Sequence, residues 1–373
     1  MKLGFDAKRA YHNTTGLGNY SRDLLKILAA FYPDNSYVLY NPKPKKVDRL
    51  SDYKNLIEKL PHSFLNKKFS SFWRQGAIVN QLKQDKIELY HGLSGEIPRN
   101  IKKEGIPSVV TIHDLIFVRY PELYSFFDRK IHFNKFKYSA KNADKIIAIS
   151  EQTKNDIVEF LNVDASKIEV IYQGCHSVFK EIATSSEIEK VKSKFNLSEK
   201  FILNVGTIEE RKNLLSIVKS IKNLDVHLVV VGRKTKYYDR VLEYVKSNQL
   251  MNRVHFLEGV DLKELSVLYQ SAEIFVYPSI FEGFGIPIIE ALYSKTPVIT
   301  SKDGVFPEAG GPDSYYVDPS NIDEFTNAID VLLKDETKRN DMIEKGHKFV
   351  QKFNDEVIAN AIMKLYKTVL NEK

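Results

Sequence analysis

The sequence predicts an α/β protein of two Rossmann-like domains, each a parallel sheet with helices on both faces. Three observations carry this. Short apolar runs rich in β-branched residues alternate with segments of helical period along the whole chain, the pattern of repeated β–α units. A polar, lysine-rich stretch at 179–200 interrupts that pattern, and a fresh apolar strand opens at Phe201. The 373 residues, 43% of them hydrophobic, can fill two ordinary α/β cores.

In the first half, strands are expected at 2–7, 36–40, 87–92, 108–112, 145–149 and 168–172, each a short run such as Ser108-Val-Val-Thr-Ile112 bounded by polar or turn residues. Helices are expected at 18–31, 72–85, 127–141 and 151–161, the last with Ser150 as its N-cap. The second half continues with strands 201–205, 226–231, 254–257, 274–279 and 297–301, and helices 213–222, 238–248 and 262–271. Helices near 323–333, 336–353 and 355–370 close the chain. The domains are therefore expected at 1–178 and 179–354. In such folds ligands gather at the carboxyl ends of the strands.

Composition narrows the function classes. No apolar run approaches the ~18 residues of a membrane span, and Met1-Lys-Leu-Gly-Phe-Asp6 reads as a core strand instead of a signal peptide. Cys175 is the sole cysteine, so no intrachain disulfide can form. A cytoplasmic protein is expected. Residues 1–180 hold 29 Lys and Arg against 19 Asp and Glu, and the rest 26 against 29. That asymmetry points to an anionic partner for the first half. The cations are scattered and no zinc-finger or RNP-like pattern occurs, so nucleic acid is not expected. No Asp-x-Asp and no His/Asp/Glu cluster of metal-ligand spacing is present, so no metal site is expected.

The most informative stretch is Glu282-Gly-Phe-Gly-Ile-Pro-Ile-Ile-Glu290 after the strand-like Ile274-Phe-Val-Tyr-Pro-Ser279. Pro287 suits the first turn of a helix, so strand, tight loop and helix start make an anion site of backbone N–H groups. Gly285 admits a close backbone approach. Phosphate does not explain two carboxylates; hydroxyls of a sugar and a ribose flanking a diphosphate do. The suggested ligand is a nucleotide-sugar. Arg211 and Lys212 emerge just after the strand at 201–205, where they oppose the dipole of a helix start unless an anion compensates them. Gly16 and Gly18 precede an expected helix, and His113 and Asp114 end a strand at its carboxyl side. Gly16-Leu-Gly18 lacks the third glycine of a dinucleotide fingerprint, which disfavours an NAD-dependent oxidoreductase.

These motifs together resemble the retaining glycosyltransferases of family 4, with the GT-B fold of two Rossmann-like domains facing a central cleft. The resemblance rests on Thr15-Gly-Leu-Gly-Asn-Tyr20, Thr111-Ile-His-Asp114, Phe201-Ile-Leu-Asn-Val-Gly-Thr-Ile-Glu-Glu-Arg-Lys-Asn213 and the Glu282–Glu290 pair, in the family's order. It implies that Arg211 and Lys212 clamp the donor diphosphate and replace a divalent metal, so that no cofactor is needed. It also implies that Glu290 holds the ribose, that Glu282 and His113 contact the transferred sugar, and that Gly16, Gly18, Gly206, Phe284, Gly285 and Ile286 line the donor. Glu308 matches another position often acidic in the family. The C-terminal helix at 355–373 is expected to rejoin the N-terminal, acceptor-binding domain, leaving 179–354 as the donor-binding domain.

The glycine loop is similar to that of bacterial mannosyltransferases of surface polysaccharide synthesis. GDP-mannose as donor and a glycan or polyprenyl-linked acceptor follow as expectations, in lipopolysaccharide, capsule or exopolysaccharide assembly. A UDP-hexose donor remains open, as do a nucleotide-sugar 2-epimerase and a non-catalytic carbohydrate-binding protein. The first half also carries a basic loop, Lys43-Pro-Lys-Lys46, and the segment Phe64-Leu-Asn-Lys-Lys-Phe-Ser-Ser-Phe-Trp-Arg74. Aromatics interleaved with cations suit an anionic membrane surface, although Phe69, Phe72 and Trp73 at helical spacing equally suit a core.

Overall fold

A computed structural model of the chain describes residues 1–44 and 50–372. Two compact units emerge: Met1–Gly174 together with Phe353–Lys373, and Cys175–Lys352.

The first unit holds a seven-stranded sheet, all parallel, in the order β3-β2-β1-β4-β5-β6-β7. Its strands are β1 (Lys2–Asp6), β2 (Ser36–Tyr40), β3 (Leu56–Lys59), β4 (Leu89–Gly92), β5 (Ser108–Ile112), β6 (Lys145–Ala148) and β7 (Ile168–Val170). All five positions of β5 are buried, as expected of a strand covered on both faces. Alternate side chains sort into two cores. Leu3, Phe5, Tyr37 and Leu89 pack under the helices Gly16–Phe31 and Asp355–Asn371. Val38, Tyr40, Tyr90 and Val110 pack on the other side with Leu82 and Leu161.

The last helix joins this unit for a periodic reason. Its buried Ile358, Ile362, Leu365, Tyr366 and Val369 form one stripe. Tyr366 donates or accepts a 2.6 Å bond with His91 Nδ1, and Tyr32 Oη donates to Asn360 Oδ1 at 2.6 Å.

The second unit holds a six-stranded parallel sheet in the order β10-β9-β8-β11-β12-β13. The strands are β8 (Phe201–Val205), β9 (His227–Val231), β10 (Val254–Leu257), β11 (Ile274–Tyr277), β12 (Val298–Ser301) and β13 (Tyr315–Val317). Ile202, Leu228, Val230, Ile274 and Ile299 face Leu214, Val218, Phe325 and Ile329 of the flanking helices.

Several local expectations change. Strands β3 and β13 have no counterpart among the expected strands: each is an outermost strand, and Leu56, Ile57, Tyr315 and Tyr316 all stay partly exposed, so the apolar signal is weak. The polar stretch 179–200 is no bare linker, for it contains the helix Ser185–Lys194 with a capping box between Thr184 and Glu187. The expected helix 72–85 is broken by a π-helical turn, Trp73–Ala77. Trp73 is 1% exposed and belongs to the core, so it is not a surface anchor. Of the basic loop, Lys45 and Lys46 lie outside the described residues.

Candidate active site

In the second sheet, β8 has β9 on one side and β11 on the other, so the strand order reverses between β8 and β11. A crevice outside the carboxyl ends at such a point is the usual ligand site of open α/β sheets. Both loops that carry the candidate residues start there. Gly206 follows β8 with φ +148°, a backbone state that favours glycine. The chain then makes a 3-10 turn, Glu210–Lys212, and Asn213 in the left-handed region starts the helix Leu214–Ser220.

That geometry aims Arg211 and Lys212 at the loop after β11. Arg211 Nη1 lies 2.8 Å from Glu282 Oε1 and also donates to the Phe281 carbonyl. Lys212 Nζ lies 2.5 Å from the same oxygen. Ser279 Oγ donates to it at 2.7 Å and Tyr277 Oη at 3.0 Å. Four donors therefore converge on Oε1, while Oε2 accepts none among the described residues. Lys212 also sits 4.9 Å from the centre of the Tyr277 ring. The three charged side chains are only 14–19% exposed.

Burial alone would raise the Glu282 pKa. The Lys212 and Arg211 charges outweigh it and hold the carboxyl down at about 2. Burial would lower the Arg211 pKa, but the Glu282 carboxylate raises it instead. The phenol of Tyr277 is pushed well above its ordinary value by burial and by Glu282, so it remains a donor. The result is a cluster in which Glu282 and Arg211 stay ionised, with Lys212 on the same carboxylate and Glu209 beside Arg211 at 2.6 Å.

Glu290 lies in the helix Ile286–Tyr293, whose N-cap is Gly285 at φ +113° with Pro287 in the first turn. Phe284 is buried, and a Cβ on Gly285 would come within 3.3 Å of Ile288. Ile286 is half-buried at the helix start. Tyr269 Oη donates to Glu290 Oε2 at 2.9 Å. Thus Gly206, Arg211, Lys212, Glu282, Phe284, Gly285 and Ile286 gather around the β8 and β11 ends, and Glu290 stands a turn into the helix that follows.

The first unit holds the remaining candidates. His113 follows β5 and is 8% exposed. Its Nε2 bonds the Leu93 carbonyl at 3.0 Å; a carbonyl only accepts, so Nε2 carries the proton and Nδ1 is the acceptor. Burial drives its pKa down to about 4 against the opposing Leu93 bond, so the ring is neutral. The Tyr20 ring meets it edge-on at 4.5 Å. The His113 carbonyl accepts from Thr153 Oγ1 at 3.2 Å. Asp114 Oδ1 accepts from the Ile116 amide at 3.1 Å, starting the short helix Ile116–Arg119.

Gly16 and Gly18 correct the sequence reading in one respect. They do not precede the helix but form its first turn, because Thr15 takes the N-cap position. A Cβ on Gly18 would lie 1.9 Å from the Asn13 carbonyl, whereas one on Gly16 would meet nothing within 4 Å. Packing within the described residues therefore demands the absence of a side chain at Gly18 and not at Gly16.

Sequence reasoning missed Tyr277, Ser279 and Tyr269. The signal for the first two was available: Tyr277 closes β11 and Ser279 follows two residues on, in the short loop that leads to Glu282. Tyr269 left none, since it reaches Glu290 from a separate helix, Leu262–Ser271. No group of three or more His, Cys, Asp or Glu that could hold a metal occurs among the described residues.

Residues 14–177 match the family described as Glycosyltransferase Family 4, and residues 185–349 that described as Glycosyl transferases group 1. The Salmonella typhimurium O-antigen chain mannosyltransferase RfbU is 36% identical over 223 residues, 59% of this chain and 59% of that protein. The Escherichia coli O-antigen chain mannosyltransferase B is 24% identical over an alignment covering 98% of this chain and 100% of that one. Among solved structures, sucrose-phosphate synthase from Thermosynechococcus elongatus superposes with a TM-score of 0.81 over the whole of both chains. At 22% identity that likeness shows the fold, GT-B, and no more.

Proposed function

Because the chain belongs to the glycosyltransferases of family 4 and group 1, we propose that it moves a hexose from a nucleotide-sugar to a glycan or lipid-linked acceptor with retention at the anomeric carbon. Mannose from GDP-mannose is the first donor to test, since RfbU and mannosyltransferase B are named for that sugar. The observation that carries the reading is the convergence of Arg211 and Lys212 on Glu282 at 2.8 and 2.5 Å, at the carboxyl ends of β8 and β11.

Arg211 and Lys212 hold the donor diphosphate. As the bond from the anomeric carbon to the phosphate oxygen breaks, negative charge grows on that oxygen, and two preplaced cations stabilise it without reorganising. The acceptor hydroxyl bonds to the anomeric carbon on the same face, its proton passes to the departing phosphate, and a nucleoside diphosphate leaves. No metal enters this scheme. Glu282 has Oε1 locked by four donors, which leaves Oε2 for a sugar hydroxyl. Glu290, steadied by Tyr269, accepts from the ribose. Backbone at Gly206, Phe284, Gly285 and Ile286 completes the donor contacts, and the open space at Gly16 leaves room for ligand. His113, neutral and with Nδ1 free of its proton, accepts from a sugar hydroxyl.

A work site at the cytoplasmic face of a membrane goes with this reading. No helix among the described residues is long and apolar enough to cross a bilayer. Phe64, Leu65, Phe69 and Phe72 are nevertheless 51–78% exposed beside Lys67 and Lys68, a composition that suits reversible contact with anionic lipid. Incubation with a panel of GDP- and UDP-sugars, read by mass spectrometry, tests the function. GDP-mannose cleavage with mannosylated product is the expected result. Cleavage of UDP-hexoses alone changes the donor, an epimerised nucleotide-sugar makes the protein a 2-epimerase, and binding without cleavage makes it a carbohydrate-binding protein.

A further inference from the structure

Beyond the loop of His113 and Asp114, the chain turns through the helix Ile116–Arg119 and returns in the long helix Phe126–Asn142. Between them lies a cavity of about 270 Å³, walled by Phe117, Val118, Phe126 and Phe133 and edged by Arg129 and Lys130. That is near the lower end of the ~300–1,000 Å³ of small-molecule clefts. Its walls are apolar, yet its edge carries two cations that form no ion pair among the described residues. The Arg129 Nε is buried with no hydrogen-bond partner, although an unpaired buried donor is costly. The neighbouring carboxylate, Asp128, forms no ion pair with it among the described residues and accepts from Ser125 Oγ at 2.7 Å instead.

Around the cavity the surface stays apolar. Phe126 and Phe127 are 66% and 76% exposed, and Ile131 is 53% exposed. Ile131 also edges a second, largely polar hollow together with Gln75, Glu96, Arg99 and Lys135. Aromatic walls with unpaired cations at the mouth fit a molecule that is apolar at one end and multiply anionic at the other.

We propose that this cavity seats an isoprenoid phosphate or diphosphate, the lipid end of the acceptor, with the first isoprene units against Phe117 and Phe133 and the phosphate oxygens on Arg129 and Lys130. The occupant rests on the glycosyltransferase reading; the cavity and its unpaired guanidinium do not. A chain end entering a concave pocket favours this ligand over the flat headgroup layer of ordinary anionic lipid, and two adjacent cations suit a group bearing two or more charges. The position also places the lipid junction at the end of the very segment that begins with His113.

The test is calorimetric titration of the full-length protein with farnesyl diphosphate, farnesol and inorganic diphosphate. Farnesyl diphosphate is expected to bind at least tenfold more tightly than farnesol. Arg129→Gln, and the exposed-site variant Lys130→Gln, should each weaken it fivefold or more, while the tight inorganic-diphosphate site at Arg211 and Lys212 persists in both. Equal affinity in wild type and both variants overturns the proposal, as does equal binding of farnesol. Arg129-dependent binding confined to phosphatidylglycerol vesicles, without farnesyl diphosphate binding, also overturns it in favour of a plain lipid surface. Binding of GDP- and UDP-sugars reads the donor site separately: it should survive Arg129→Gln, and its absence in wild type sinks the glycosyltransferase reading while leaving the cavity result standing.

Discussion

In the second unit the candidate residues carry full charges, Arg211 and Lys212 locked onto a carboxylate held at a pKa of about 2. In the first unit the candidate is an imidazole held neutral by burial, its pKa pushed down to about 4, with an aromatic ring at its edge. Overall charge runs the other way, since 1–180 holds 29 cations to 19 anions and the remainder 26 to 29. A net charge is therefore a poor guide to where charge is used. The excess of residues 1–180 is spread along the sequence, whereas Arg211 and Lys212 meet at one carboxylate. The difference fits the division of labour proposed above: a leaving diphosphate needs fixed cations, while sugar hydroxyls need neutral dipoles and shape.

The largest effect that would break this contrast belongs to Arg211→Ala. Losing a charge-assisted hydrogen bond of roughly 1.5–3 kcal/mol should lower transfer by about one to two powers of ten. Because the charge it meets grows toward the transition state, kcat should fall as well as KM rise. Steady-state kinetics with the fold checked by circular dichroism decide it; near-wild-type kcat would remove the clamp from the mechanism.

The acid limb of stability comes next. Glu282 has a folded pKa of about 2 against an ordinary 4.5. Its contribution is complete above pH ~4.5 and disappears as pH falls toward 2, of order 3 kcal/mol at full ionisation. Glu282→Gln should therefore be less stable than wild type near neutrality, with the gap closing through that window in denaturant titrations. His113 acts in a different window: its folded pKa is the lower one, so stability rises with pH between about 4 and 6.5 and is then flat. His113→Gln should lack that rise, and a rate profile that breaks near pH 6.5 only in wild type would contradict a neutral ring.

Two glycines sharpen the comparison inside the first unit. Gly18→Ala drives a methyl to 1.9 Å from the Asn13 carbonyl and should cost about 1–3 kcal/mol of stability. Gly16→Ala meets nothing and should leave the Tm unchanged or slightly raised, with any loss confined to turnover. The smallest effect is expected from EDTA, which should leave transfer rates unaltered; loss restored by magnesium would put a metal where Arg211 and Lys212 are proposed to act.

Much of this is legible in the sequence. The strands at Ser36–Tyr40, Ser108–Ile112, Phe201–Val205 and Val254–Leu257 run where their apolar runs predict. The helix Ser185–Lys194 was missed: its capping pair, Thr184 and Glu187, stands in the sequence, but its polar face reads as linker when apolar content is the only guide. The pattern around Phe69, Phe72 and Trp73 was undecidable by periodicity. A π-helical turn beginning at Trp73 puts the indole in the core and leaves Phe69 and Phe72 exposed.

By itself the sequence determined the alternation of strand and helix, the family, and the residue types that meet an anion, because these depend on neighbours within a few positions along the chain. Only the tertiary structure decided that Arg211 and Lys212 share one oxygen of Glu282, that Tyr269 reaches Glu290 from another helix, and that Phe117 and Arg129 border one cavity. Those contacts join residues up to 71 apart, as in Arg211 to Glu282. Separations of that size are bridged by the order of strands in a sheet, and no local propensity carries that information.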